Sequence, residues 1–227
     1  MQAWVDSLAP AVSTAPAFGT PTQTGSFSAA SYPASQGLTL SQPTNAGDCV
    51  VLGLCFSGAT VFTNLSGLGG SGGALISDGI ASPAICLYVL YNCSAGQTAM
   101  SLTGGGGLPS GDIVWAVFAG VRTASNPVSV HGAQSASPGT SVTASLSVTA
   151  TGQVYICAFG AQTAGGTWTT PAPTNGNAWS LDRSSTGQRS LFMFNQVTGG
   201  TGASACTSTF SSSDQLRAQG ATLIQAP

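Results

Sequence analysis

Ser110–Gly120 reads SGDIVWAVFAG. A Gly-Asp turn opens into an unbroken apolar run, Ile113 to Ala119. The run is too short to cross a bilayer. Its β-branched and aromatic residues, with Gly at both ends, predict a strand buried on both faces. Gly47–Phe56 (GDCVVLGLCF) and Gly152–Phe159 (GQVYICAF) repeat the pattern. Their unequal spacing excludes a fixed-period solenoid and points to one core visited three times.

Further strands are expected around these three. Ala84–Tyr91 is another buried run, and Thr98–Leu102 alternates as an edge strand does. Thr140–Val148 alternates strictly, with Val142, Ala144, Leu146 and Val148 on one face, which predicts a half-buried antiparallel strand. A turn at Thr151-Gly152 makes a hairpin with Val154–Phe159 the expected pairing. Arg189–Val197, Ala203–Phe210 and Leu216–Ile224 complete the set. Gly67–Gly73 (GLGGSGG) lacks the Lys-Ser/Thr and following helix of a phosphate loop, and reads as a turn. Many short strands, glycine turns and no amphipathic helix predict an all-β, antiparallel β-sandwich, jelly-roll-like. One such domain is expected over 44–227.

Residues 1–43 differ. Pro10, Pro16, Pro21 and Pro33 break the segment at short intervals, which excludes a helix or a central strand. Yet it carries Trp4, Val5, Leu8, Phe18, Phe27 and Tyr32, which a plain linker would lack. The expectation is an extended N-terminal arm that docks these residues on its own domain or on a partner; the alternatives are a mobile tail or a first strand lying on its own domain.

Only 4% of the 227 residues are charged, six acids (all Asp) against four bases (all Arg). Four scattered Arg do not supply the phosphate contacts that nucleic acid demands, nor a polybasic membrane patch. Neither nucleic acid nor a membrane is an expected partner. A surface of Ser, Thr, Gly, Asn and Gln repels little, so association, and a homo-oligomer, is expected. Met1–Pro10 (MQAWVDSLAP) has no basic n-region or long apolar h-region, so synthesis in the cytosol is expected. The six Cys then read as buried thiols rather than a disulfide framework, with Cys86–Cys93 the one bridge considered across a hairpin. Cys49 and Cys55 lie about 20 Å apart on one strand and cannot pair. With one His and no Cys-x-x-Cys, neither a metal nor another cofactor is expected.

Chemistry is thinly represented. His131 would have to serve any Ser-His-Asp site, and no nucleophile elbow accompanies it. Asp48 and Asp112 stand at equivalent turns, where an Asp ordinarily accepts from its own turn's N–H groups. The one polar-aromatic cluster by sequence is Trp168, Trp179, Asp182, Arg183 and Arg189. Three readings stay open for it: a loop stapled onto its own sandwich, a protein interface, or a glycan platform.

The order of segments resembles a known family. A Gly-Asp turn enters a hydrophobic strand (Gly47–Val51), Ser77-Asp78-Gly79 turns, and an aromatic strand follows (Cys86–Tyr91). Then come Val114–Val121, a Ser/Thr-rich alternating hairpin, Gly166-Thr167-Trp168 and a closing strand. Over Thr44–Pro227 this is similar to the jelly-roll β-sandwich modules of tailed-bacteriophage virion proteins: capsid decoration (cement) proteins, head fibres and tail-associated modules. The resemblance implies a non-enzymatic structural protein of the virion that binds the major capsid protein or another virion protein. It implies a trimer with lapping arms. The alternative it implies is a tail or head-fibre adhesin that binds host-surface glycan through Trp168–Arg189.

Overall fold

A computed structural model describes residues 19–58, 61–76, 82–104, 110–163, 165–169, 178–184, 189–196 and 200–227; over 178–184 and 189–196 it describes the backbone alone. The described residues are all-β and antiparallel, and they stack in layers. The first eight strands are β1 (Gln23–Ala29), β2 (Ser35–Thr39), β3 (Cys49–Phe56), β4 (Asn64–Gly67), β5 (Ser71–Ile76), β6 (Ala84–Tyr91), β7 (Ala99–Thr103) and β8 (Gly111–Phe118). They are hydrogen-bonded in the order β1-β8-β3-β6-β5-β4-β7-β2. Thus β1 pairs β8, β2 pairs β7, β3 pairs β6 and β4 pairs β5. These are the pairs of one long antiparallel ribbon rolled upon itself.

Rolling encloses the first core. Val50, Leu52, Leu54 and Phe56 of β3 and Ile113, Trp115 and Val117 of β8 meet Leu38, Leu65, Met100 and Leu102 from the far side. Tyr32, Phe56 and Phe62 pack edge-to-face, with ring centroids 5.3–6.1 Å apart. Burying a large apolar side chain contributes about 1.5–3 kcal/mol, so this core dominates the ribbon's stability.

The second half adds β9 (Val128–Val148), β10 (Val154–Ala161), β11 (Trp168–Thr169), β12 (Ala178–Ser184), β13 (Arg189–Gln196) and β14 (Gly202–Leu223). Five of these follow the order β11-β14-β10-β13-β12, and β9 pairs β14. One face of this sheet covers the ribbon. Val154, Ile156 and Ala158 of β10, with Ala221 and Leu223, pack on Cys49, Val51, Ile85, Leu87, Val114, Ala116 and Phe118. So β3 and β8 have a core on each face, and every residue of both is buried. The same holds for β10. The three apolar runs are the middle strands, as their sequence requires.

Three features depart from the sequence reading. First, 19–43 is extended but is not an arm outside the sandwich. From β1 onward it supplies two strands of the rolled ribbon, and Thr22 bonds to the Val117 carbonyl. The eight-strand unit therefore occupies Gln23–Phe118, and the boundary at 43/44 marks no change of layer. Prolines at 21 and 33 flank β1 rather than interrupt it. Second, β9 does not form a hairpin with β10; it pairs β14, and β10 pairs β13 and β14. The chain turns at Gly152 (φ +72) into the next layer instead. The apolar face of Val142, Ala144, Leu146 and Val148 lies on Tyr155, Cys157, Phe159 and Ala161. Face-to-face burial outweighs edge pairing here because both strands present an apolar side.

Third, segments expected as separate strands merge into the long strands β9 and β14. Their ladder shifts register between Thr209 and Asp214, and again before Leu216. The ribbon they make doubles back there: a Cβ on Gly220 would lie 3.3 Å from the Ala144 methyl. Asp214 braces the bend, where its Oδ2 accepts from the Thr163 N–H and hydroxyl at 2.8 Å each, and its Oδ1 from the Gln215 N–H at 2.7 Å. All six Cys are buried thiols, as the sequence reading expected, and Cys86 and Cys93 do not bridge. The glycine stretch after β4 does turn between strands, with Gly67 and Gly69 at φ +111 and +62. The Ser77–Gly79 turn lies outside the described residues.

Candidate partner-facing edge

The expected arm residues separate into three groups. Trp4, Val5, Leu8 and Phe18 lie outside the described residues. Tyr32, expected to dock on a partner, is 2% exposed and belongs to the first core. Its ring fills the gap between the two faces of the rolled ribbon, and its hydroxyl donates to the Gly111 carbonyl at 2.8 Å. Burial, with the Asp112 charge nearby, pushes the phenol well above its ordinary pKa, so it remains the donor. Phe27 alone stays accessible. At 39% exposure it is the one exposed large apolar side chain among the described residues.

Phe27 is held by a strand at the end of the sheet. β1 pairs β8 residue by residue from Gln23↔Val117 to Ala29↔Gly111. In the sheet order no described strand follows it on the other side. Strand alternation sends Gly25, Phe27 and Ala29 toward the first core. Gly25 leaves room for the Trp115 indole, which a Cβ there would meet at 2.3 Å. Phe27 reaches the rim, edge-on to Tyr32 with centroids 5.8 Å apart. On the other face the Ser28 hydroxyl donates to Asp112 Oδ1 at 2.6 Å.

Asp112 is therefore a fully buried cross-strand acceptor. Asp48 does serve its turn, its Oδ2 accepting from the Asn45 N–H at 2.7 Å. Burial raises the Asp48 pKa, and the Asn45 bond opposes that rise. The start of β1 is tied down by Gln23. Its Oε1 accepts from the Ser41 hydroxyl and the Gln42 N–H at 3.0 and 3.2 Å, and its Nε2 donates to the Gln42 carbonyl at 3.0 Å. Nothing in a lone Gln announces such a clamp in the sequence.

The Trp/Arg cluster is not brought together by the sheet. Trp168 sits on β11 and Trp179, Asp182 and Arg183 on β12, at opposite ends of the order, with β14, β10 and β13 between. Trp168 is 7% exposed, with ring centroids 4.8 Å from Phe210 and 5.8 Å from Phe159. It staples β11 onto the third core, which removes it as a sugar platform. Asp182 pairs Leu191 and Ser184 pairs Arg189 in the β12–β13 ladder. The side chains of Trp179, Asp182, Arg183 and Arg189 lie outside the described residues.

His131 is exposed on β9 opposite Ala221, whereas Asp214 lies opposite Gly139. The ladder holds the two groups far apart, so they do not assemble a Ser-His-Asp site. No group of three His, Cys or Asp ligands gathers among the described residues. What the arrangement offers is a charge-free strand edge with one apolar anchor at its rim. Against family models, curated proteins and solved structures alike the chain finds no match, so its reading rests on its own geometry.

Proposed function

We propose that this chain is a non-enzymatic structural protein of a tailed-bacteriophage virion, a capsid decoration protein that binds the major capsid protein lattice and stabilises the head. One observation carries the reading: the strand pairs 1·8, 2·7, 3·6 and 4·5 over Gln23–Phe118. That connectivity supports a jelly-roll reading, and jelly rolls are used repeatedly in viral capsid proteins. The uncharged hydroxyl-rich surface supports it, because such a surface does little to oppose packing on a lattice or on its own copies. The β1 edge with Phe27 at its rim is the contact surface in this reading, and a trimer is its simplest assembly. A glycan-binding adhesin, the alternative, would have to work through the remainder of the 168–189 segment, because Trp168 is 7% exposed.

Co-sedimentation with capsids of the phage that encodes the chain tests the proposal. Wild type is expected to pellet with capsids and to appear in cryo-electron microscopy as density on lattice sites. Phe27→Asp is expected to stay in the supernatant while unfolding at the same denaturant concentration. Wild type that never pellets, or a Phe27→Asp variant that pellets equally well, would overturn the reading.

A further inference from the structure

β1 lacks the guards that edge strands ordinarily carry. Gln23–Ala29 (QTGSFSA) holds no charge and no Pro, and its ladder with β8 runs without a register shift. A row of outward backbone N–H and C=O groups on such a strand invites pairing with another chain. The direction of those groups follows from two bonds at the ends of β8. The Ser110 carbonyl accepts from the Ser57 N–H, on the β3 side, and the Val117 carbonyl accepts from the Thr22 N–H, on the β1 side. Backbone groups alternate sides along a strand, so the odd-numbered residues of β8 bond to β1 and the even-numbered ones to β3. Thr24 and Ser28 oppose Ala116 and Asp112, so their N–H and C=O groups point away from β8, to the outer side. On the core face Gly25 and Phe27 stand next to each other. Gly25 presents bare backbone, and the Trp115 indole crosses it where a Cβ would be. Phe27 presents an exposed ring. β2, at the other end of the sheet order, has five residues and no aromatic side chain.

We propose that β1 pairs antiparallel with β1 of a second copy of this chain, across a twofold axis at Ser26. An axis normal to the sheet keeps every residue on its own face, and only the register centred on Ser26 engages all of Gln23–Ala29. That register sets Thr24 opposite the partner's Ser28 and Phe27 opposite the partner's Gly25. The outward backbone groups of Thr24 and Ser28 supply ladder bonds from both copies. Phe27 and Gly25 then form a non-hydrogen-bonded pair, the closer kind, with Cα atoms about 4.5 Å apart. Each Phe27 ring lies beside bare backbone and meets the indole that crosses the partner's Gly25, an aromatic–glycine match that pins the register. The fit is self-complementary, because the ring and the seat are on the same strand. None of the chain's charged residues lies on β1, so no like charges meet. The inference rests on the reading of the β1 edge as a contact surface and deepens it by naming the occupant. A twofold contact at β1 leaves other faces for the capsid and for a threefold assembly.

The test uses the full chain with no capsid present, so that its failure and that of the functional reading are told apart. In sedimentation velocity over a concentration series, wild type is expected to double its mass, from monomer to dimer or from trimer to hexamer. Thr24→Pro removes an outward N–H and leaves the β8 ladder intact, a place where an edge strand tolerates Pro. It is expected to keep the wild-type denaturation midpoint and to lose the doubling. Ser26→Cys sets two thiols on the axis, with Cα atoms about 5.5 Å apart, within disulfide reach. Under oxidised glutathione it is expected to give a disulfide-linked dimer, whereas Thr24→Cys, about 13 Å along the ladder from its own counterpart, is not. Equal masses for wild type and Thr24→Pro at every concentration would overturn the inference. So would a Ser26→Cys chain that forms no linked dimer, or a Thr24→Cys chain that links as readily. A chain that pairs in this way but never pellets with capsids upholds the inference and sinks the functional reading; one that pellets as a strict monomer does the reverse.

Discussion

β10 and β9 are neighbours in sequence and opposites in design. β10 is apolar throughout and every residue is buried. β9 alternates over its second half, burying Val142, Ala144, Leu146 and Val148 while Ser141, Ser145 and Ser147 stay in water. The first kind of strand can only be a middle layer, because both of its faces need a cover. The second can only be an outer layer. Placing one on the other solves both problems, and it explains why they stack rather than pair. The rolled ribbon follows the same rule, with β3 and β8 in the middle and β2, β4 and β7 outside.

The comparison is broken most severely by a charge. Ala158→Asp places a carboxylate between the ribbon and the second sheet, where Ala158 is fully buried. A loss of about 5 kcal/mol is expected, enough to unfold most marginal domains. Ser145→Asp, on the outer face of β9, is expected to stay within about 0.5 kcal/mol. Urea denaturation of the two variants measures the contrast, and equal losses would mean that β9 is not an outer strand.

Aromatic truncations come next. Trp168→Ala is expected to cost about 3 kcal/mol, because its ring lies between Phe159 and Phe210. Phe27→Ala, at the rim, is expected to cost about 1 kcal/mol or less. A reversed order in thermal melts would return Trp168 to the surface.

Layer spacing is probed by glycines. A Cβ on Gly160 would lie 2.4 Å from Ile85 Cδ1 and 2.7 Å from Cys55 Sγ, whereas Gly165 has nothing within 4 Å. Gly160→Ala is expected to cost about 2 kcal/mol and Gly165→Ala almost nothing. Equal midpoints would show that the layers are not packed this closely.

The smallest effect concerns Asp48. Its folded pKa is raised by burial, so the folded state holds the proton more tightly than the unfolded state. Stability from this group is present at low pH and is lost as pH rises through and above the ordinary carboxylate range. Asp48→Asn keeps an acceptor for the Asn45 N–H and removes that loss. Its advantage over wild type is expected to grow with pH and stay under about 0.5 kcal/mol. An advantage that shrinks as pH rises would contradict the assignment.

The sequence by itself determined the fold class and the identity of the middle strands. Unbroken apolar runs at Cys49–Phe56, Gly111–Phe118 and Val154–Ala161 have no face that water can occupy, and the structure buries all of them. It also determined that 19–43 is extended, because its prolines permit little else. Whether that segment is a docked arm or a first strand of its own domain stayed open in the sequence. β1 owes its place to partners far away in sequence: Val117, Trp115 and Asp112 along β8, and Ser41 and Gln42 for Gln23. The cluster of Trp168 with Trp179 and the arginines was a proximity in sequence only, because sheet order carries β11 and β12 to opposite ends. A side chain's environment follows from its own neighbours only when both faces of its strand are apolar; everywhere else the layer packed on top decides it.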